Sequence, residues 1–437
     1  MEIIRARSLL LGLFACCTVA NGEPFKVLAI GDSLTEEYRF ELPFSAPKSL
    51  IPPVANTTNW VEILAIRRAE YFSMGSYKST LLEYGDLRNT GYKFNYGVPG
   101  FTSQDWVSII EQKYSSDLTL AISEALTRSR LIDHLGDVGA VIIFLGGNDL
   151  KSDYNGVFRD DEPPPVMARL VENLADIHDF IRSRRPNLPI LIATAPDIGS
   201  THVIATHPNY QDPVWKIRAR QRIVAMNQEI IALAASRGAT VIRIDHLTDM
   251  IHDMAPFQIN GTEFSFTPDD DNAPLHIFCH DGFHPASMAQ GIIANLVIDG
   301  LNQATTAAIP PLPNRETLEN VVGVNPDRPY LDWAGAAGGM MENPDGDGLP
   351  NLAEFLLGTS PTEADSPWSF THDGGLRFLP LEERLRFAGL EVEHSPTLAN
   401  DWSAVPENRI EILSNGTWII HPDGVRCFYR IAAKPRP

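Results

Sequence analysis

Cysteine is scarce in this chain: four residues in 437, with Cys16 and Cys17 inside an N-terminal apolar run and Cys279 and Cys427 far apart. That excludes a small fold stapled by a disulfide framework, and two buried free thiols are the simpler expectation for the remaining pair. Positive charge is also in short supply, with 35 Lys and Arg against 55 Asp and Glu and a formal net charge of -20. No basic stretch is available to displace phosphate counterions, which excludes a nucleic-acid partner. A long-range internal repeat is missing too, which sets repeat architectures aside. The apolar run Leu9 to Ala20 is too short to span a membrane as a stable helix.

That run nevertheless has a purpose. Arg5 and Arg7 form a basic head before it, and Thr18-Val19-Ala20 supplies the small residues a signal peptidase needs, so residues 1–22 read as an export signal. The expected location is secreted or periplasmic. A rival reading is a lipoprotein anchored at Cys16, because Leu13-Phe14-Ala15-Cys16 approximates a lipobox, although Phe14 is bulky for it.

From Pro24 onward, short β-branched runs alternate with helical patterns: Lys26 to Ile30, Lys93 to Tyr96, Ala140 to Leu145, Pro189 to Thr194 and Thr240 to Ile244. The alternation predicts an α/β domain over 23–305, a flavodoxin-like, doubly wound parallel sheet of five strands. Residues 306–329 hold several prolines and no sustained period, and read as a linker. An acidic segment follows over 330–365, and then short alternating runs over 366–437 predict a small antiparallel all-β domain.

Four short motifs fall at the ends of the predicted strands. Gly31-Asp32-Ser33-Leu34 ends the first, where an open α/β sheet places its ligands; alone it could as well be a capped helix start. Gly97-Val98-Pro99-Gly100 follows the second, and a glycine there lets a backbone N–H approach a ligand. Gly146-Gly147-Asn148-Asp149 ends the third, with an amide that could point over the same sheet edge. Asp281-Gly282-Phe283-His284 precedes the last helix of the domain. A His three residues after an Asp can be oriented by that carboxylate while offering its other nitrogen to a serine, which a poor nucleophile requires.

Taken together, in this order, the four motifs resemble the blocks of the SGNH (GDSL) hydrolase superfamily, over roughly Pro24 to Leu301. The resemblance implies a serine esterase with Ser33 as nucleophile, His284 as base and Asp281 as its orienting acid. It further implies an oxyanion hole built from the backbone N–H groups of Ser33 and Gly100 and the Asn148 amide, with no cofactor for catalysis. The expected reaction is hydrolysis of a carboxylic acyl ester, of a small molecule or a polysaccharide. Deacylation of carbohydrate is the first expectation, lipase, lysophospholipase or thioesterase action the alternative, and a non-catalytic surface adhesin the alternative of another class. The long stretch Glu36 to Tyr92 departs from a small member of the family; its aromatic residues Trp60, Tyr71, Phe72, Tyr77 and Tyr84 could wall a pocket or fill the core.

The acidic segment carries Asn343-Pro344-Asp345-Gly346-Asp347-Gly348-Leu349-Pro350-Asn351 and then Glu354. It resembles an EF-hand or dockerin-type calcium loop, with ligands implied from Asn343, Asp345, Asp347, Leu349, Asn351 and the bidentate Glu354, and hence a structural Ca2+ in the C-terminal region. The β domain beyond it could attach the chain to a polysaccharide or cell surface, or simply shield it; Trp368, Trp402 and Trp418 are its candidate stacking rings.

Overall fold

All five predicted runs become parallel strands. The first, Phe25–Gly31, is central, flanked on one side by Asn95–Gly97 and on the other by Ala140–Phe144, then Ile190–Ala193 and Thr240–Ile242. Counting only these strands, the order is 2-1-3-4-5, with Val27 facing Ala140 and Gly31 facing both Gly97 and Phe144. Phe72–Ser73, which no pattern predicted, pairs with the start of the central strand. This computed structural model describes residues 23–38, 57–78, 87–88, 91–253, 256–269, 273–398, 401–422 and 427–437. The expected export signal with Cys16 lies outside those residues, as does Tyr84. No helix among the described residues is long and apolar enough to cross a membrane.

Side chains of a strand alternate between faces, and here both faces are apolar. Leu28, Ile30, Val141, Ile143, Ile190 and Ile192 join the core under helices Ser103–Ile110, Pro165–Arg184 and Pro213–Ser236. Their neighbours Val27, Ala29, Ala140, Ile142, Leu191 and Ala193 face the opposite core, under helices Trp60–Arg67 and Ser287–Ala304. Each such side chain contributes roughly 1.5–3 kcal/mol on burial, which is why the strands read as near-continuous apolar runs. Trp60 and Phe72 are completely buried in the second core, so they pack the domain and do not wall a pocket.

The segment expected to be a linker is instead packed. Ile309, Leu312, Leu318 and Val322 belong to the second core, and short helical turns cover Asn314–Thr317 and Leu318–Val322. Asn302 and Asn295 each clamp it with a pair of hydrogen bonds, to the backbones of Ile309 and Leu312 at 2.7–2.8 Å. Arg68 grips it with a two-pronged contact to Glu316, both prongs 2.8 Å, and with bonds to the Pro310 and Pro311 carbonyls. Proline removed the helical period from the sequence, but proline carbonyls remain acceptors and its neighbours remain apolar.

Beyond the strap, Trp368–Phe370, Leu376–Phe378, Trp418–Ile420 and Ile410–Ile412 form one antiparallel sheet, and Ser403–Ala404, Ala388–Ser395 and Phe428–Pro435 form another. The acidic segment is not a unit apart from them. Helix Asn351–Leu357 places Leu352, Phe355 and Leu356 in the same core as Phe378, Phe387 and Ile431, because seven residues of helix cannot bury an apolar face alone. Trp418 stacks on Phe378 and Trp402 lies under the Arg430 guanidinium, so neither ring is a bare platform. Cys279 and Cys427 are both free thiols.

Candidate active site

The central strand ends at Gly31, and the chain turns at once. The Asp32 carbonyl accepts the Thr35 and Glu36 N–H groups, while the Asp32 carboxylate accepts the Leu34 N–H at 2.9 Å. This tight turn lifts Ser33 over the carboxyl edge of the sheet. It leaves no room beside it: a Cβ on Gly97, the strand neighbour of Gly31, would lie 2.4 Å from the Glu36 nitrogen. That explains the second-block glycine nearest the serine on packing grounds alone.

Ser33 Oγ is 2.8 Å from His284 Nε2, and His284 Nδ1 is 2.6 Å from Asp281 Oδ2. Asp281 is held as well as holding: its other oxygen accepts the N–H groups of Phe283 and His284, each at 3.0 Å. Burial pushes the Asp281 carboxyl up, but the His284 hydrogen bond and charge and those two backbone donors outweigh it, leaving the group below its ordinary value. The loop itself is pinned through Cys279 N–H to the His284 carbonyl and Val203 N–H to the Gly282 carbonyl. Tyr38 and Phe283 meet the imidazole edge-on, with centroids 6.2 and 5.2 Å away.

The two remaining blocks meet across the mouth of the site. Gly100 sits on an exposed turn at φ +78, a left-handed conformation that suits glycine, with open space where a Cβ would be. Asn148 lines the pocket beside Ser33, and one of its amide hydrogens goes to the Phe101 carbonyl at 3.1 Å, tying the third block to the second. The second hydrogen of that amide is the one left for a ligand. Asp149 completes the link. Its carboxylate accepts both the N–H and the Oγ of Ser103, and Asn173 donates to the same hydroxyl at 2.9 Å. Ser103 closes the second block, which runs from Asn95, but its bond to Asp149 had no signal in the sequence, and Asn173 had none beyond helical position, because their roles depend on which helices come together.

Ser33 and Asn148 share a narrow apolar slot with Ile198, Leu247, Ile251, Phe278 and Phe283. Asp197, on its rim, pairs with His252 at 3.2 Å, a contact the sequence did not suggest.

The acidic loop brings its three predicted carboxylate ligands together. Carboxylate oxygens of Asp345, Asp347 and Glu354 lie within 4.8 Å of one another. Glu354 is fully buried, and neither of its oxygens has a hydrogen-bond partner. Burial and the charges of Asp345, Asp347 and Asp365 push its carboxyl up to about 7. Asp365 is the residue the motif missed; one of its oxygens and one of Asp345's are likewise buried without a partner. Of the other three candidates, Asn351 keeps its side-chain oxygen buried without a partner. Asn343 Oδ1 accepts the Gly346 N–H at 2.9 Å, the Leu349 side chain is core and its N–H caps Asp347, and Asn351 donates to the Ala337 and Gly339 carbonyls.

Fold and site together define a carboxylic ester hydrolase. The sequence profile of the GDSL-like lipase/acylhydrolase family matches residues 27–297, and the chain belongs to that family. None of the curated proteins is a significant match in sequence. Among solved structures, a family 3 carbohydrate esterase of Clostridium thermocellum is 16% identical, with a TM-score of 0.34, covering 66% of this chain and 100% of its own. An acetylxylan esterase from Geobacillus stearothermophilus is 16% identical, with a TM-score of 0.35, covering 64% and 95% respectively. A family 3 carbohydrate esterase from Talaromyces cellulolyticus gives 16%, a TM-score of 0.32, and 64% and 97%.

Proposed function

We propose that Ser33, His284 and Asp281 hydrolyse an acyl ester through an acyl-enzyme, a reading carried by the unbroken chain of contacts from Ser33 Oγ through both imidazole nitrogens to the Asp281 carboxylate. As Oγ bonds to the ester carbon, its proton passes to His284 Nε2. Asp281 holds the tautomer that makes this nitrogen the acceptor and stabilises the imidazolium that forms. The carbonyl oxygen becomes an oxyanion, met by the N–H groups of Ser33 and Gly100 and by the free amide hydrogen of Asn148. The bond to the leaving oxygen then breaks, and His284 returns the proton to that oxygen. Water repeats the sequence on the acyl-enzyme, releasing the acid and restoring the Ser33 hydroxyl.

The proposed substrate is an acylated carbohydrate. A net charge of -20 sets the surface against anionic lipid head groups and favours a neutral ester. The test is a fluorophosphonate probe followed by peptide mass spectrometry, beside release of acetate from acetylated xylan. Labelling at Ser33 is expected, and labelling elsewhere, or equally in Ser33→Ala, would sink the assignment.

A second site has its own observation, the fully buried Glu354 with both oxygens unpartnered. An isolated buried carboxylate costs several kcal/mol unless a cation or proton meets it. Asp345, Asp347, Glu354 and Asp365 are hard oxygen donors of the kind Ca2+ takes, and the ion would supply structural charge balance only.

A further inference from the structure

We propose that Ile251 is the residue that ends the acyl slot and so restricts this esterase to short acyl groups; the inference rests on the reading of Ser33 as the nucleophile. Helix Asp245–Asp253 lays Leu247, Thr248 and Ile251 along the slot, positions one turn apart on a single helix face. Ile251 has a second exposure: it also lines a separate apolar recess, with Phe257, Phe264, Phe266 and Leu275, on the far side. Ile251 is therefore common to the linings of both spaces. The same adjacency is visible a second time, where Phe278 of the slot meets Phe266 of the recess edge-on, ring centroids 5.5 Å apart.

The two spaces differ sharply in size. Room for water-sized groups is about 40 Å³ in the slot, whereas the recess is wider and opens to solvent past Glu263 and Ser265. Since one such group needs on the order of 10–15 Å³ by this measure, the slot takes about three, the length of an acetyl to butyryl chain. With the carbonyl oxygen turned toward Asn148 and the alcohol toward solvent, an acyl chain on Ser33 has the slot as its apolar path. A longer chain runs into the Ile251 wall, although ample apolar space lies just beyond it. Of the two parts of the wall, Ile251 is the smaller side chain and is only partly buried, whereas Phe278 is 2% exposed and braced by Phe266.

The experiment measures kcat/KM of the purified full chain for p-nitrophenyl acetate, butyrate and octanoate, in wild type, Ile251→Ala and Ile251→Phe, with thermal melts as the folding control. Wild type should prefer acetate or butyrate to octanoate. In Ile251→Ala the octanoate-to-acetate ratio should rise tenfold or more, since each methylene accommodated in an apolar pocket is worth about tenfold or better. In Ile251→Phe the butyrate-to-acetate ratio should fall several-fold. That variant decides the matter if Ile251→Ala does not fold. A wild type that already prefers octanoate, or ratios within twofold of wild type in the folded variants, would overturn the role of Ile251 while leaving the esterase intact. A folded wild type silent on all three esters would overturn the esterase reading itself, and this inference with it.

Discussion

The serine site and the acidic loop are both built from buried polar groups, but they are satisfied differently. Around Ser33 the contacts form a closed chain: hydroxyl to imidazole, imidazole to carboxylate, carboxylate to two backbone donors. Around Glu354 both of its own oxygens, and one each of Asp345 and Asp365, are buried without a donor. A closed chain is ready to act with what the protein itself supplies. An uncompensated cluster stores a charge problem that only a cation or a proton relieves. On the proposed reading, chemistry belongs to the first region and stabilisation to the second.

The widest separation between the two regions should come from removing the nucleophile. Ser33→Ala is expected to lower kcat by a thousandfold or more with an unchanged melting curve, because the change removes a single small hydroxyl at the sheet edge. Retained turnover in that variant would break the comparison at its root. Next in size, Asn148→Ala should lower kcat by about a hundredfold to a thousandfold with little change in KM, since its free amide hydrogen meets charge that develops only in the transition state. A rise in KM at constant kcat would make Asn148 a ground-state binding residue instead.

The acidic loop should respond in the opposite currency. Millimolar Ca2+ is expected to raise the melting temperature of the full chain by acting on its C-terminal region, a stabilisation of about 1.4 kcal/mol at a tenfold excess over Kd, while ester turnover hardly changes. Differential scanning calorimetry with and without Ca2+ checks this. Asp365→Asn should weaken the response and Glu354→Gln abolish it. An unchanged transition in wild type would remove the metal site, and activity lost in chelator would show the two regions coupled.

How much of this was legible in advance follows the same division. The five strands announced themselves because parallel strands buried on both faces must be apolar throughout. The contact chain of Ser33, His284 and Asp281 was legible because Asp281 and His284 are three residues apart and Ser33 ends a strand. The strap over 307–324 was not, because its packing depends on Asn295, Asn302 and Arg68, side chains from helices whose arrangement the local pattern does not encode. Asp365 was invisible for a similar reason. It lies past the end of the loop motif, and only the turn after Gly358 brings it back to Asp347. Ser103 and Asn173, which brace Asp149 from two different helices, complete the pattern: contacts local in sequence were readable, contacts made by tertiary packing were not.

One group keeps the serine site from being wholly self-satisfied, and it gives the finest test of the comparison. Asp32 is 2% exposed, and burial raises its carboxyl to about 7, with the Leu34 N–H opposing the rise and the Asp149 charge adding to it. In the unfolded chain an aspartate ionises near its ordinary value of about 4. Between those two values the folded form keeps a proton that the unfolded form has released, so folding is progressively disfavoured as pH rises through this window and the loss levels off above it. The slope attributable to one such group is at most about 1.4 kcal/mol per pH unit. Asp32→Asn cannot ionise and retains an oxygen for the Leu34 N–H. The stability of wild type relative to Asp32→Asn, measured by urea unfolding of the full chain at pH 5, 6, 7 and 8, should therefore decline up to about pH 7 and then flatten. Parallel curves for the two proteins would mean that Asp32 ionises freely beside Ser33, and that the turn tolerates its negative charge alongside that of Asp149.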